Sequence, residues 1–142
     1  MSLFGRMFGG RENYPDLDPN TSAAEKIASI EAHLEKIAKD YKEPLEVVPG
    51  RDATYVFIGK PPKKFGVAWI EDGEVKNFQT LAKEQGVQAG VLQSMGEKLR
   101  SAYERNIEAE RFTAHLDNCD ITVTPCTDLM EEVDEIIGDT LH

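Results

Sequence analysis

Apolar residues recur at helical spacing in three stretches of the chain, each of which predicts an amphipathic helix. The first stripe begins beside a capping box formed by Ser22 and Glu25, and Pro44 marks its end. A middle helix is predicted over roughly 88–110, after a shorter helical turn that ends at Gly86. A last helix is predicted to begin near Asp128. The first stripe consists of Ala23, Ile27, Ile30, Leu34, Ile37 and Tyr41.

Four short apolar runs between the first two helical stretches predict β-strands. They are LEVVP (45–49), ATYVFIG (53–59), FGVAWIE (65–71) and EVKNF (74–78). Asp72-Gly73 between the last two runs is typical of a two-residue hairpin turn. The run FGVAWI is apolar at consecutive positions, so we expect it in the middle of the sheet.

The segment RFTAHLDNCDITVT, residues 111–124, predicts a further hairpin with its turn at Asp117-Asn118. In this register six apolar residues share one face, as the pairs Leu116–Cys119, Ala114–Ile121 and Phe112–Val123. The opposite face carries the polar pairs His115–Asp120, Thr113–Thr122 and Arg111–Thr124. Because a one-residue slip would exchange the two faces, this sorting favours the register.

These elements predict an α+β fold, an antiparallel β-sheet of about 5–6 strands packed against helices, in the order α-β-β-β-β-α-β-β-α. The strand groups lack the long crossovers that parallel doubly wound folds need. We expect residues 1–20 to form a flexible N-terminal arm, because glycines and prolines interrupt any regular period there. Residues 21–142 then form a single domain.

Composition narrows the classes of partner. The 142 residues carry a net charge of −10, which disfavours nucleic acid and anionic membranes as partners. No apolar run approaches the roughly 20 residues of a membrane span. The start of the chain does not resemble a secretory signal. With only two cysteines, we expect a reducing cytoplasm.

His115, Cys119 and Cys126 invite a metal or thiol interpretation. If residues 119–124 form a strand, the two cysteines lie roughly 23 Å apart along it, at roughly 3.3 Å per residue. Ligands of one zinc ion must approach it within about 2.3 Å. We therefore expect no metal site and no cofactor, and a cross-strand ion pair between His115 and Asp120. Any further role of these three residues stays open.

The N-terminal segment LFGRMFGG offers a possible partner-docking site. Four apolar side chains, Leu3, Phe4, Met7 and Phe8, would share one side of a short helix. Aromatic and methionine side chains on a mobile arm are suited to a groove on a partner or a sister subunit. The alternative is a frayed terminus without a role.

The loop GKPPKKFG, residues 59–66, concentrates positive charge in an acidic chain. Pro61-Pro62 is expected to stiffen it, and Lys60, Lys63 and Lys64 to keep it solvated. One interpretation is a rigid hairpin whose lysines discourage aggregation of two apolar strands. The other is a contact for an anion or an acidic partner.

No motif for catalysis was found, so we expect a non-enzymatic interaction module or accessory subunit, although catalysis is not excluded. We expect a homodimer, or binding to another protein, because three helices and an apolar arm offer more apolar surface than one sheet face requires. In element order, size and acidity, residues 21–141 are similar to the small dimeric chaperones of type III secretion. That resemblance implies binding of an extended client segment. The other alternative is a small-ligand protein or enzyme whose pocket is lined by Tyr55, Phe57, Trp69 and Tyr103.

Overall fold

The computed structural model describes residues 14–141. Five helices and six strands are present in this range. In chain order they are α1 (Ser22–Ser29), α2 (Glu31–Tyr41), β1 (Leu45–Val48), β2 (Ala53–Lys60), β3 (Lys64–Glu71), β4 (Glu74–Asn77), α3 (Phe78–Gln85), α4 (Ala89–Arg105), β5 (Phe112–His115), β6 (Asp120–Val123) and α5 (Thr127–Leu141). The predicted α+β class and the order of elements are confirmed.

The six strands form one sheet in the order β4-β3-β2-β1-β6-β5. All neighbours are antiparallel except β1 and β6, which run parallel. The sheet is therefore mixed. After β4 the chain leaves the sheet through α3 and α4, and it returns on the far side of β1, where β6 lies parallel to β1. The predicted register of the second hairpin is confirmed, with Ala114 opposite Ile121 and His115 opposite Asp120. As predicted, β3 is an inner strand of the sheet.

Helices cover both faces of the sheet, so the domain has three layers. Alternate residues of β2 and β3, such as Tyr55, Phe57 and Trp69, pack with buried residues of α3, α4 and α5. The intervening residues, such as Val56 and Ile70, pack with α1 and α2 on the other face. Successive side chains of a strand point to opposite faces of the sheet, and here both faces are buried. Both sets of side chains are therefore apolar, which is why β2 and β3 have apolar residues at consecutive positions.

The first predicted helix is divided in two at Ile30. The N-cap of α1 is Thr21, whose hydroxyl accepts a hydrogen bond from the backbone N–H of Ala24 at 3.2 Å. The predicted capping box of Ser22 and Glu25 is therefore wrong, because the N-cap lies one residue earlier and Ala24 stands at the third helical position. The second half, α2, ends before Lys42, which has a left-handed backbone with φ 55°. The last helix begins at Thr127, so Asp128 lies within its first turn.

The N-terminal segment covers the outer edge of β5. The Leu17 N–H donates to the Thr113 carbonyl at 2.8 Å, and the Thr113 N–H donates to the Pro15 carbonyl at 2.8 Å. This pairing leaves β4 as the uncovered edge strand of the sheet described here. Residues 1–13, with the predicted docking residues Leu3, Phe4, Met7 and Phe8, lie outside the described residues.

Candidate functional site

The lysine-rich loop forms the tip of the β2–β3 hairpin. Lys60 is paired with Lys64 across the hairpin, and the Lys63 N–H donates to the Lys60 carbonyl at 3.2 Å. All three lysine side chains are exposed. None of them forms an ion pair with another residue of the described range. The hairpin therefore presents three positive charges that nothing between residues 14 and 141 neutralises.

A fourth cation comes from helix α4. The Arg100 Nε donates to the Pro62 carbonyl at 2.7 Å, and its Nη2 donates to the Lys63 carbonyl at 3.4 Å. The guanidinium carbon lies 5.8 Å from the centre of the Phe65 ring, a distance compatible with a cation–π contact. We call Lys60, Lys63, Lys64 and Arg100 the basic patch. Arg100 both contributes charge and fixes the loop against α4.

A cavity of about 270 Å³ lies beside the basic patch and shares Lys60 with it. The start of β1 supplies Glu46, and α4 supplies Tyr103. Arg111, which precedes β5, lines the cavity as well. The cavity is thus built where β1, the end of β2, α4 and the approach to β5 meet.

Glu46 is the acceptor at the centre of a buried polar network. The Tyr103 hydroxyl donates to Oε1 at 2.6 Å. The Thr124 hydroxyl donates to Oε2 at 2.6 Å, and the Arg111 Nε donates to the same oxygen at 2.9 Å. The side chains of Glu46 and Arg111 are only 10% and 5% exposed. Both charges are therefore held inside the fold by each other and by the hydroxyl donors.

The network also fixes protonation states. Burial raises the pKa of Tyr103 above its usual range, and the Glu46 carboxylate raises it further, so the hydroxyl stays a donor. Burial acts to lower the pKa of Arg111, but the Glu46 carboxylate and Tyr103 outweigh it and the net pKa is raised. Arg111 also lies over the Tyr103 ring at 5.1 Å. A neutral phenol, a carboxylate and a guanidinium thus form one unit.

One donor of this network has no acceptor. Arg111 Nη1 donates to the carbonyls of Ile107 and Ala109, each at 2.9 Å. Its Nη2 is buried and makes no hydrogen bond. Nearly all buried donors in native proteins are paired, so an unpaired nitrogen on a residue that lines a cavity marks the site.

Sequence reasoning did not identify Glu46 and Arg111. The hairpin register puts Arg111 on the polar face, opposite Thr124, and this end of the face is buried, with Arg111 7% and Thr124 0% exposed. A signal was present in LEVV, because a carboxylate within an apolar strand needs a buried partner. The sequence alone does not show that the partner lies 65 residues away.

The predicted ion pair between His115 and Asp120 is formed, at 2.8 Å, and Asp16 adds a second carboxylate at 3.0 Å. The hydrogen bonds to Asp120 and Asp16 raise the pKa of His115. The two cysteines pack on opposite faces of the sheet, Cys119 with the α1–α2 layer and Cys126 with the α4–α5 layer. The structure thus does not bring His115, Cys119 and Cys126 together.

The aromatic residues proposed to line a ligand pocket are mostly core residues. Tyr55, Phe57 and Trp69 are each at most 3% exposed and belong to the core that the α3–α5 layer covers. The Tyr55 hydroxyl donates to Asp134 of α5 at 2.5 Å. Only Tyr103 of that group lines the cavity beside the basic patch.

One acidic cluster lies elsewhere. Carboxylate oxygens of Glu31, Glu35 and Asp117 lie within 4.8 Å of one another, and the Asn118 N–H donates to Glu35 at 3.0 Å. The cluster is partly exposed, and such groups of acids are common without an ion. We do not assign it a role.

Comparison with protein-family models, with curated proteins and with solved structures found no match to this chain. Among residues 14–141, none of the helices has both the length and the apolar character needed to cross a bilayer.

Proposed function

We propose that this protein is a non-enzymatic interaction module that binds an acidic segment of a partner protein at the basic patch. One observation carries the proposal: three exposed lysines, which form no ion pair with residues 14–141, stand on one hairpin tip in a chain whose net charge is −10. A local positive field on an otherwise acidic surface would attract and orient an acidic segment. Repulsion by the rest of the surface would restrict that segment to the patch.

The fixed loop supports this proposal. Arg100 holds the loop through the Pro62 and Lys63 carbonyls, so less conformational entropy is lost when a ligand binds. The hairpin register places Lys60 and Lys64 directly opposite each other. Like charges in that arrangement are unfavourable, and a bound carboxylate relieves their repulsion.

Self-association stays a prediction, but one argument for it has weakened. It assumed surplus apolar surface on the helices, whereas α1 and α2 cover the second face of the sheet. The large hydrophobic side chains that are exposed within residues 14–141 are Tyr41, Val91 and Ile107. Tyr41 lies on α2, Val91 lies on α4, and Ile107 follows the end of α4. These positions do not indicate a single exposed apolar patch. An accessory subunit would use the same basic patch and differs only in the identity of its partner.

The proposal is tested by titrating a fluorescent glutamate-rich peptide, with blocked ends, into the protein. Its glutamine counterpart serves as the control ligand. We expect saturable binding of the glutamate peptide only, weakening steeply with salt because the contacts are exposed charges. The double variant Lys63→Glu/Lys64→Glu should abolish binding. Size-exclusion chromatography with light scattering, run alongside, reports any dimer.

The matched control is Lys39→Glu/Lys83→Glu, which makes the same change in net charge at exposed positions of α2 and α3. If both double variants weaken binding equally, the effect is one of net charge and the basic patch is not the site. Equal binding of the glutamate and glutamine peptides would likewise refute the proposal.

A further inference from the structure

Arg111 has a buried nitrogen, Nη2, without a hydrogen-bond partner among the described residues. A guanidinium has five N–H donors, and those of Nε and Nη1 are used by Glu46 and by two backbone carbonyls. Nη2 has no hydrogen-bond partner, although the side chain is only 5% exposed. The donors of Nη2 are therefore available to another group.

Glu46 does not pair with this nitrogen. Its Oε1 accepts from Tyr103, and its Oε2 accepts from Arg111 Nε and Thr124. Among residues 14–141, Glu46 is also the only Asp or Glu that lines the cavity. The structure therefore places no acceptor on Nη2 among the residues it describes.

The cavity has the size for a small ligand. Its volume of about 270 Å³ corresponds to roughly nine waters at about 30 Å³ each. That is just below the range of about 300–1,000 Å³ that drug-sized ligands occupy. A ligand of a few heavy atoms fits this space, and a folded domain or a nucleotide does not.

Charge decides the chemistry of the ligand. The guanidinium of Arg111 and the carboxylate of Glu46 offset each other, which leaves Lys60 as a cation on the lining that no other residue between 14 and 141 neutralises. Guanidinium edges match the planar geometry of a carboxylate. We propose that the cavity binds a small carboxylate, one oxygen of which accepts from Arg111 Nη2 while Lys60 pairs with its charge.

A ligand reaches Arg111 Nη2 only if a side chain moves. Less than 1 Å² of Nη2 is accessible, so a side chain on the lining has to shift before a ligand reaches it. Ile107, which is 48% exposed, and Lys60, which is exposed, have space to do so. Binding is therefore expected to perturb these residues together with the guanidinium.

This carboxylate site does not depend on the proposed docking of an acidic segment. The carboxylate could belong to a free small molecule or to a side chain of that segment. Acetate, propionate and succinate represent the first source, and the end-blocked glutamate peptide represents the second. The corresponding amides of the three acids report any binding that does not need the charge.

The experiment follows the Nε–Hε resonance of Arg111 by nuclear magnetic resonance during titration of each probe into the full chain. We expect saturable shifts with the carboxylates, at concentrations on the order of millimolar, and none with the amides. Arg111→Lys should weaken binding about tenfold or more, because the fork of donors is lost. Lys60→Gln should weaken it severalfold. The matched loop variant Lys63→Gln, which lies off the cavity, should change the affinity less than about twofold.

Arg111→Lys tests the site only if the variant folds, so the wild-type titration and the Lys60→Gln and Lys63→Gln pair are decisive without it. The proposal is overturned if no carboxylate shifts the Arg111 resonance, if the amides act equally, or if inorganic phosphate binds at least as tightly. Equal effects of Lys60→Gln and Lys63→Gln also overturn it. A glutamate peptide that binds the basic patch without moving Arg111, while free acids bind nothing, refutes this site and leaves the proposed function standing. Binding of the free acids without the peptide supports the site and refutes the proposed function.

Discussion

Replacing Glu46 with glutamine tests the buried network at its centre. The variant keeps the shape of the side chain but leaves the Arg111 guanidinium, 5% exposed, without its counter-charge. Removing one partner of a buried ion pair costs about 3–5 kcal/mol. Part of the hydrogen bonding survives, because the amide oxygen can still accept from Arg111 and Thr124 and the Tyr103 hydroxyl can turn to accept from the amide nitrogen. We therefore expect a loss near the lower limit, about 3 kcal/mol in the free energy of unfolding.

The assay is urea unfolding, followed by circular dichroism and by the fluorescence of Trp69, the single tryptophan, which is 1% exposed. A loss of about 3 kcal/mol lowers the melting temperature by roughly 10 °C for a chain of this length. Glu131→Gln is the matched control, because Glu131 is 58% exposed and its contact with Arg51 is 4.0 Å long. That variant should lose less than about 1 kcal/mol.

A double-mutant cycle gives a second measure of the same network. Glu46→Gln combined with Arg111→Met removes both charges, so the double variant should lose less stability than the sum of the two single variants. Equal stability of Glu46→Gln and Glu131→Gln would show that the pair is not buried as described, and the reasoning about the cavity would fall with it.

Three further predictions concern the hairpins. The hydrogen bonds to Asp120 and Asp16 raise the pKa of His115. The stabilisation by protonated His115 is therefore complete below the unfolded pKa of about 6.5 and is lost as the pH rises through the folded pKa. The difference in urea midpoint between wild type and His115→Gln should shrink between about pH 5 and about pH 8.5. Gly59→Ala should cost about 1–3 kcal/mol in thermal unfolding, because φ is +115° and the new methyl group would lie 2.9 Å from the Lys64 carbonyl oxygen. Gly66→Ala is the control and should not have this cost, because its methyl group meets nothing within 4 Å. Arg100→Gln should speed hydrogen exchange of the β2–β3 loop, where it loses the bond to the Pro62 carbonyl, and change the global stability by less than about 1 kcal/mol.

The hairpin of residues 111–124 shows how much of the fold local patterning determines. Its register was predictable because shifting the pairing by one residue exchanges apolar and polar side chains between the faces. The same pattern did not reveal that one end of the polar face is buried. Thr122 and Thr124 are 9% and 0% exposed there, and the Thr124 hydroxyl donates to Glu46, whereas His115 and Asp120 at the other end are 58% and 50% exposed. A polar side chain on a strand indicates solvent only when no distant segment supplies a hydrogen-bond partner.

Some residues of the candidate site were predictable from the sequence and others were not. The basic loop was predictable because its three lysines lie within five consecutive residues, 60–64. Arg100, Glu46 and Arg111 were not, since their roles depend on contacts across 38, 57 and 65 residues. The break of the first helix at Ile30 likewise has no clear signal, because the apolar stripe continues at three- and four-residue spacing through the break.

The topology explains why binding is expected at this end of the sheet. Helices cover both faces, and residues 15–17 pair with the outer edge of β5. The start of β1 and the end of β2 lie side by side because these strands are antiparallel, and the parallel pairing of β6 with β1 brings Thr122 beside Glu46. Backbone ends from three strands therefore meet where α4 leaves room for a cavity. A carboxylate buried at that position requires a cation, and the cation that reaches it, Arg111, has more donors than the network uses. The unpaired donor is thus a consequence of placing an ionic pair at a sheet end, and its availability to a ligand is what the carboxylate titration measures.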